Sequence, residues 1–256
     1  MVRRLALVIE YNGARYHGFQ LQNNTCTVQG ELENALYKFT RRKIRIAGAS
    51  RTDTGVHALG QVITFVTDQE YSLKAWVNAL NYYLPADIAV RSAYEVDIEF
   101  DARRCAFSRE YRYNILNIGG RSPLRDKLAY LVHQPLDVAV MNRCCQFLIG
   151  EHDFISFVSL PEEERNTIRR VDVAEVRKKD DYVIFRIIGS SFLPYQLRNT
   201  VGSLIRVGSG DLTEKDFSER AFSGERGVMG PAVPGKGLYL MRVNYPPQWG
   251  PIGEGL

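Results

Sequence analysis

The apolar run Leu5-Ala6-Leu7-Val8-Ile9, between Arg3-Arg4 and Glu10-Tyr11-Asn12-Gly13, reads as a first strand over 3–10. Val28, Leu32, Ala35, Leu36 and Phe39 then recur at helical spacing, which predicts an amphipathic helix over 28–42 with Thr27 as its cap. Strand-like runs follow at 44–49 and 60–67. A second helix is predicted over 73–84, preceded by Ser72, with Leu73, Trp76, Val77, Leu80 and Leu84 on one face. Pro85 ends it, and 87–91 begins a fourth strand. The order is strand, helix, strand, strand, helix, strand.

The second half repeats that order. A strand at 108–118 leads to a helix at 137–149, capped by Asp137 and stopped at Gly150. A hairpin joins 167–178 to 182–188, and a helix runs from Pro194 to Val207. A short extra helix has Thr213 and Asp216 in capping-box positions, and 238–243 forms the last strand. The expectation is an α+β chain of two ferredoxin-like βαββαβ halves, 1–100 and 101–256. Their strands would pool into one broad mixed, mostly antiparallel sheet, with helices on one face and a cleft on the other. Such a fold names no function.

With 256 residues, 45% of them hydrophobic, the chain has enough apolar surface for a substantial core. No stretch is long and apolar enough for a membrane span. The N-terminal run is too short for a signal peptide and lacks a small-residue cleavage site, so a cytoplasmic protein is expected. Cys26, Cys105, Cys144 and Cys145 show no CxxC spacing and read as reduced thiols. His152-Asp153 lacks a second ligand pair, so His152 reads as a polar cap and no metal site is expected.

A net charge of +4 does not by itself imply a nucleic-acid partner. The kind of cation says more: 25 of the 33 basic residues are arginine, whose guanidinium forks match phosphate oxygens in pairs. A GC-rich coding sequence explains that total equally well. Clusters are the better guide: Arg41-Arg42-Lys43 with Arg45, Arg103-Arg104 with Arg109 and Arg112, and Arg165 with Arg169-Arg170. Together they could form a phosphate-tracking surface. GxxxxGK[ST] and GxGxxG loops and the aromatic signature of RRM domains are absent. With no cofactor motif, any chemistry would run on side chains alone.

One segment gathers candidate chemistry: Arg51-Thr52-Asp53-Thr54-Gly55-Val56-His57-Ala58. By residue type alone it is a turn between strands. It is longer than a hairpin needs, however, with glycines at 48, 55 and 60, and it collects Arg, Asp and His. This segment resembles the signature loop of the TruA-type tRNA pseudouridine synthases. The likeness extends through Tyr11-Asn12-Gly13, His17-Gly18-Phe19-Gln20 and Thr27-Val28-Gln29-Gly30-Glu31-Leu32. It continues through Ala79-Leu80-Asn81, Leu84-Pro85, Phe100-Asp101-Ala102-Arg103 and Arg109-Glu110-Tyr111-Arg112-Tyr113. Gly150-Glu151-His152-Asp153-Phe154, Leu197-Arg198-Asn199 and Gly230-Pro231-Ala232-Val233-Pro234 complete it. Thr54, Asp101 and Val233 depart from the usual alanine, histidine and alanine, and Asp101 places a negative charge in an expected RNA-contact loop.

The resemblance implies isomerisation of uridine to pseudouridine at positions 38, 39 or 40 of the tRNA anticodon arm, by a homodimer without a cofactor. Asp53 would be the catalytic carboxylate, leaving open whether it attacks C1′, attacks the base or removes the C2′ proton. A carboxylate buried beside a base stays ionised with a cation at hand, a role that falls to Arg198. By residue type alone, Arg198 is a surface phosphate contact. Arg51 would fill the space left by the extruded nucleotide. Tyr111, otherwise a core strand aromatic, would pack on the target base. Arg103, Arg104, Arg169 and Arg170 suit phosphate contacts. Two rival readings are a non-catalytic tRNA-binding protein or chaperone, and a hydrolase using Asp53, His57 and His152, with or without a metal.

Overall fold

A computed structural model describes residues 2–158 and 166–253. The apolar run near the N-terminus lies in β1 (Arg3–Tyr11), where Leu5 to Ile9 are all buried, as befits a strand covered on both faces. Antiparallel neighbours flank it, β3 (His57–Thr67) on one side and β4 (Ile88–Val96) on the other. Helix α1 (Val28–Thr40) is capped by Thr27, whose side chain accepts from the Gly30 N–H. It ends two residues before the predicted limit, because Arg41 turns left-handed at φ 57°. Helix α2 (Leu73–Tyr83) is capped by Ser72 and buries Trp76 and Leu80. Trp76 meets Phe39 edge-on at 5.2 Å, which ties the two helices together.

The strand expected at 44–49 shrinks to β2 (Ala47–Gly48). Its first residues are drawn to α1 instead: Glu33 accepts from the Ile46 N–H and from Arg45. The outer edge of β3 is also shared. β2 pairs at Ile63 and Thr64, while β10 (Leu238–Asn244) runs parallel at His57 and Ala58. The strand order β4-β1-β3-β2 is that of a ferredoxin-like unit.

Two compact units emerge, one of residues 1–109 with 239–256, the other of residues 110–238. The closing strand therefore packs in the first unit, whereas the sequence places 101–256 together. Its hydrogen bonds to β3 explain the difference.

β5 (Ser108–Asn117), which lies in the second unit from Glu110 on, neighbours β9 (Tyr182–Gly189), which pairs antiparallel with β8 (Ile168–Lys179). β7 (Gly150–Asp153) adds to β8, and β6 (Tyr130–Val132) lies parallel to β5. Neither short strand is predicted from sequence. Helix α3 (Val138–Gln146) has its Asp137 cap but stops before 149, where the last residues form hydrogen-bonded turns. Helix α4 (Gln196–Gly208) begins after Tyr195, a left-handed residue at φ 61°, and not at Pro194. Helix α5 (Glu214–Ala221) has the expected capping box, with the Asp216 N–H donating to Thr213 Oγ1 at 3.1 Å. Among the described residues the chain is α+β, with ten strands and five α-helices.

Candidate active site

Asp53 sits half-buried on the turn between β2 and β3. The segment after β1 holds that turn by backbone contacts. The Phe19 N–H donates to the Thr52 carbonyl at 3.0 Å, and the Gly55 N–H to the Tyr16 carbonyl at 3.3 Å. Within the turn, the Val56 N–H donates to the Asp53 carbonyl at 3.2 Å. Gly18, at φ +87°, approaches so closely that a Cβ there would lie 2.8 Å from the Thr52 carbonyl oxygen. A Cβ on Gly13 would lie 1.9 Å from the Val56 carbonyl oxygen.

Side chains fasten the same cradle. Tyr11 Oη and Thr52 Oγ1 share a buried hydrogen bond of 2.8 Å. Gln61, at the far side of the turn, donates to the Ser50 carbonyl at 2.6 Å and accepts from the Ser50 N–H at 3.1 Å. Tyr16 anchors the cradle to the start of β4 by donating to Asp87 Oδ1 at 2.5 Å. Burial first, and the Asp87 carboxylate second, push the Tyr16 phenol above the usual tyrosine range, so it remains a donor. These contacts fix the backbone of the turn that carries Asp53. Tyr11→Phe should leave the buried Thr52 hydroxyl without this partner, at a cost of about 1–3 kcal/mol in chemical denaturation.

The other expected residues fall as follows. Arg51 is exposed on the same turn, as are Arg103 and Arg104 farther along the first unit. Both Arg103 and Arg104 donate backbone N–H groups to Asp101 Oδ1 at 2.8 Å, so Asp101 shapes their turn and leaves their side chains outward. Arg109 leaves the surface cluster in which its charge suggested it belonged. It is buried, and its guanidinium donates to the carbonyls of Arg103, Ala106 and Ala49.

In the second unit, Tyr111 is buried, with Phe192 edge-on at 5.5 Å. Arg198, half-buried on α4, donates from Nε to the Val233 carbonyl at 2.6 Å, and its guanidinium lies 4.9 Å over the Tyr195 ring. The Val233 N–H donates back to the Arg198 carbonyl at 3.2 Å. Arg169 spends Nη1 on the carbonyls of Asn166 and Ile168, and burial lowers its basicity. Arg170 is exposed and ion-paired with Asp172 at 2.8 Å. Arg165 lies outside the described residues.

The two histidines of the hydrolase reading lie in different settings. His57 is 2% exposed, and its Nδ1 accepts from the Gly13 N–H at 3.1 Å. His152 is half-buried, hydrogen-bonds the Ile149 carbonyl and packs on Phe222; Ile149 lies past the Phe147 cap of α3, so this is a loop contact and not the helix cap expected. Among the described residues no three His, Cys, Asp or Glu side chains group as metal ligands. The four cysteines are free thiols, and burial pushes the Cys144 thiol up to about 11, far from a neutral-pH nucleophile. No helix among the described residues is long and apolar enough to cross a membrane.

Sequence reasoning on residue types finds the Asp53 turn but not Tyr11, Gly13, Gly18 or Gln61. They come from other elements, and only the resemblance sets Tyr11-Asn12-Gly13 and His17-Gly18-Phe19 beside the signature loop.

Comparison with known proteins bears on this arrangement. The family model described as tRNA pseudouridine synthase matches residues 7–103 and 144–246. Asp53 and Arg198 fall inside those blocks and Tyr111 between them. A tRNA pseudouridine synthase A of Herminiimonas arsenicoxydans is 40% identical, covering 96% of this chain and 91% of that protein. Its namesake in an Exiguobacterium species is 41% identical, covering 95% and 98%. That of Colwellia psychrerythraea is 40% identical, covering 95% and 94%. Among solved structures, a Cbf5-Nop10-Gar1 complex aligns with a TM-score of 0.33 and 12% identity, over 78% of this chain and 54% of that one. With both blocks of the model matched, and relatives covered almost from end to end, this chain belongs to the tRNA pseudouridine synthase family.

Proposed function

We propose that the protein converts uridine to pseudouridine at positions 38, 39 or 40 of the tRNA anticodon arm, with Asp53 as the catalytic carboxylate. The observation that carries this reading is the cradle around residues 50–57, which holds one half-buried aspartate on a turn fixed from several sides. Family membership supports the substrate class. In the reaction the N–C1′ bond breaks, the uracil turns in place and a C–C1′ bond forms. One proton leaves the carbon that bonds and the freed nitrogen gains one, so the change is an isomerisation with no net oxidation and no group donor.

The other residues take the roles the resemblance gives them. Arg51, exposed beside the turn, enters the space left by the extruded nucleotide. Arg198 is the cation that favours an ionised carboxyl, and Tyr111 packs on the base. Arg103 and Arg104 suit backbone phosphates by their exposure; Arg170 serves there only by exchanging Asp172 for phosphate. Arg169 is a weaker candidate, since carbonyls already hold one arm of its guanidinium. A homodimer and a cytoplasmic setting complete the proposal.

The test is incubation with unmodified tRNA, followed by carbodiimide-stop mapping of pseudouridine. Stops are expected within positions 38–40, at a rate unchanged by EDTA. Tight tRNA binding without any stop would favour the binding-protein reading, and strand or base release lost to EDTA would favour a hydrolase.

A further inference from the structure

His57 belongs to the signature segment, yet its ring is buried and its Nδ1 atom is engaged by the protein's own backbone. Its side chain meets the cradle at Gly13. The Nδ1 atom accepts the Gly13 N–H at 3.1 Å in a buried setting. A nitrogen that accepts carries no proton, so the ring is the neutral tautomer with its proton on Nε2. Its face stacks on Tyr239 of β10 with centroids 4.6 Å apart and planes 21° from parallel. That stacking fixes the ring plane, and with it the direction in which Nδ1 points.

Gly13 in turn is pressed against the Val56 backbone, with no room for a Cβ. A chain of contacts thus leads from the start of β3 through His57 to Gly13, and from Gly13 back to the turn that carries Asp53. Deepening the catalytic reading of Asp53, on which this rests, we propose that His57 is a positioning residue for the reaction. Its ring nitrogen seats the 12–14 backbone under Val56, and this sets the height and direction of the Asp53 carboxylate. The residue touches neither substrate nor reacting atoms in this role.

Two substitutions separate positioning from mere packing. His57→Phe keeps a ring to stack on Tyr239 and removes the acceptor. His57→Asn gives up the ring and returns an acceptor oxygen at the δ position. If packing alone mattered, Phe would be the better replacement. For positioning, the order reverses. The single-turnover rate of His57→Phe is expected to fall by about 30-fold or more, with tRNA Kd within about threefold of wild type. His57→Asn should recover about tenfold of that loss, even where its melting temperature is the lower of the two. Rates are read well below both melting transitions. A long-range ¹H–¹⁵N spectrum of the wild-type protein should show His57 as the Nε2–H tautomer, independently of activity.

Wild-type rates in both variants, losses that follow melting temperature, or a weakened Kd with an unchanged rate would each overturn the proposal. An Nδ1–H tautomer would do so too. A wild-type protein that forms no pseudouridine, or an active Asp53→Asn, would strike the catalytic reading instead, and the two failures are thereby distinguished.

Discussion

Asp53→Asn should abolish pseudouridine formation, lowering the single-turnover rate by about 10⁴-fold or more while the protein stays folded and binds tRNA. The amide has the shape of the carboxylate but neither its charge nor its basicity, so it can serve neither as nucleophile nor as base. The turn itself survives the change. Its hydrogen bonds from Phe19 to Thr52, from Gly55 to Tyr16 and from Val56 to Asp53 are all between backbone atoms. The melting temperature is therefore expected within a few degrees of wild type. Affinity for tRNA should hold or rise slightly, because a negative charge is removed from a surface facing a polyanion. Carbodiimide-stop mapping, a filter-binding isotherm and a thermal melt read the three quantities separately. Measurable turnover by Asp53→Asn would exclude the carboxylate from the chemistry. Equal loss of binding and turnover would place Asp53 in recognition instead.

Local signals in the chain were the ones most faithfully realised. Thr27, Ser72, Asp137 and Thr213 each cap the helix that follows, because a cap needs only partners two or three residues away. Elements that depend on distant partners were less legible. β2 reaches only two residues, since the Glu33 carboxylate on α1 claims the Ile46 N–H and Arg45 just before it. β6 and β7 have three and four residues, too short for alternation to be seen. Arg109 looked like surface charge because sequence shows a cation but not the three carbonyls that surround it. The same limit applies at the site. The polar turn around Asp53 is visible, and the reason it is rigid lies some forty residues upstream, where a tyrosine and two glycines have no spacing that advertises them. Motif resemblance includes those residues in the family pattern, but only the fold brings them against the turn.

Gly13→Ala should damage both stability and turnover, and by more than so small a change would elsewhere. The new methyl would lie 1.9 Å from the Val56 carbonyl oxygen and 2.6 Å from its carbon. Both atoms are backbone, so no rotamer change can clear the space, and either the 12–14 segment or the turn must move. Overpacking of this kind costs about 1–3 kcal/mol, occasionally more. Movement of the turn is the more consequential result, because Val56 lies three residues from Asp53 and its N–H is bonded to the Asp53 carbonyl. A displacement near 1 Å at a catalytic group lowers rate by about 10²-fold, which is the loss expected in single turnover at a temperature where the variant is folded. Affinity for tRNA should change little. Gly119→Ala is the matched control: a Cβ there meets no atom within 4 Å, so stability should remain within about 0.5 kcal/mol and the rate should be that of wild type. Equal behaviour of the two alanine variants in denaturation and in turnover would show that the cradle yields freely. The carboxylate would then owe its placement to something other than the backbone packed beneath it.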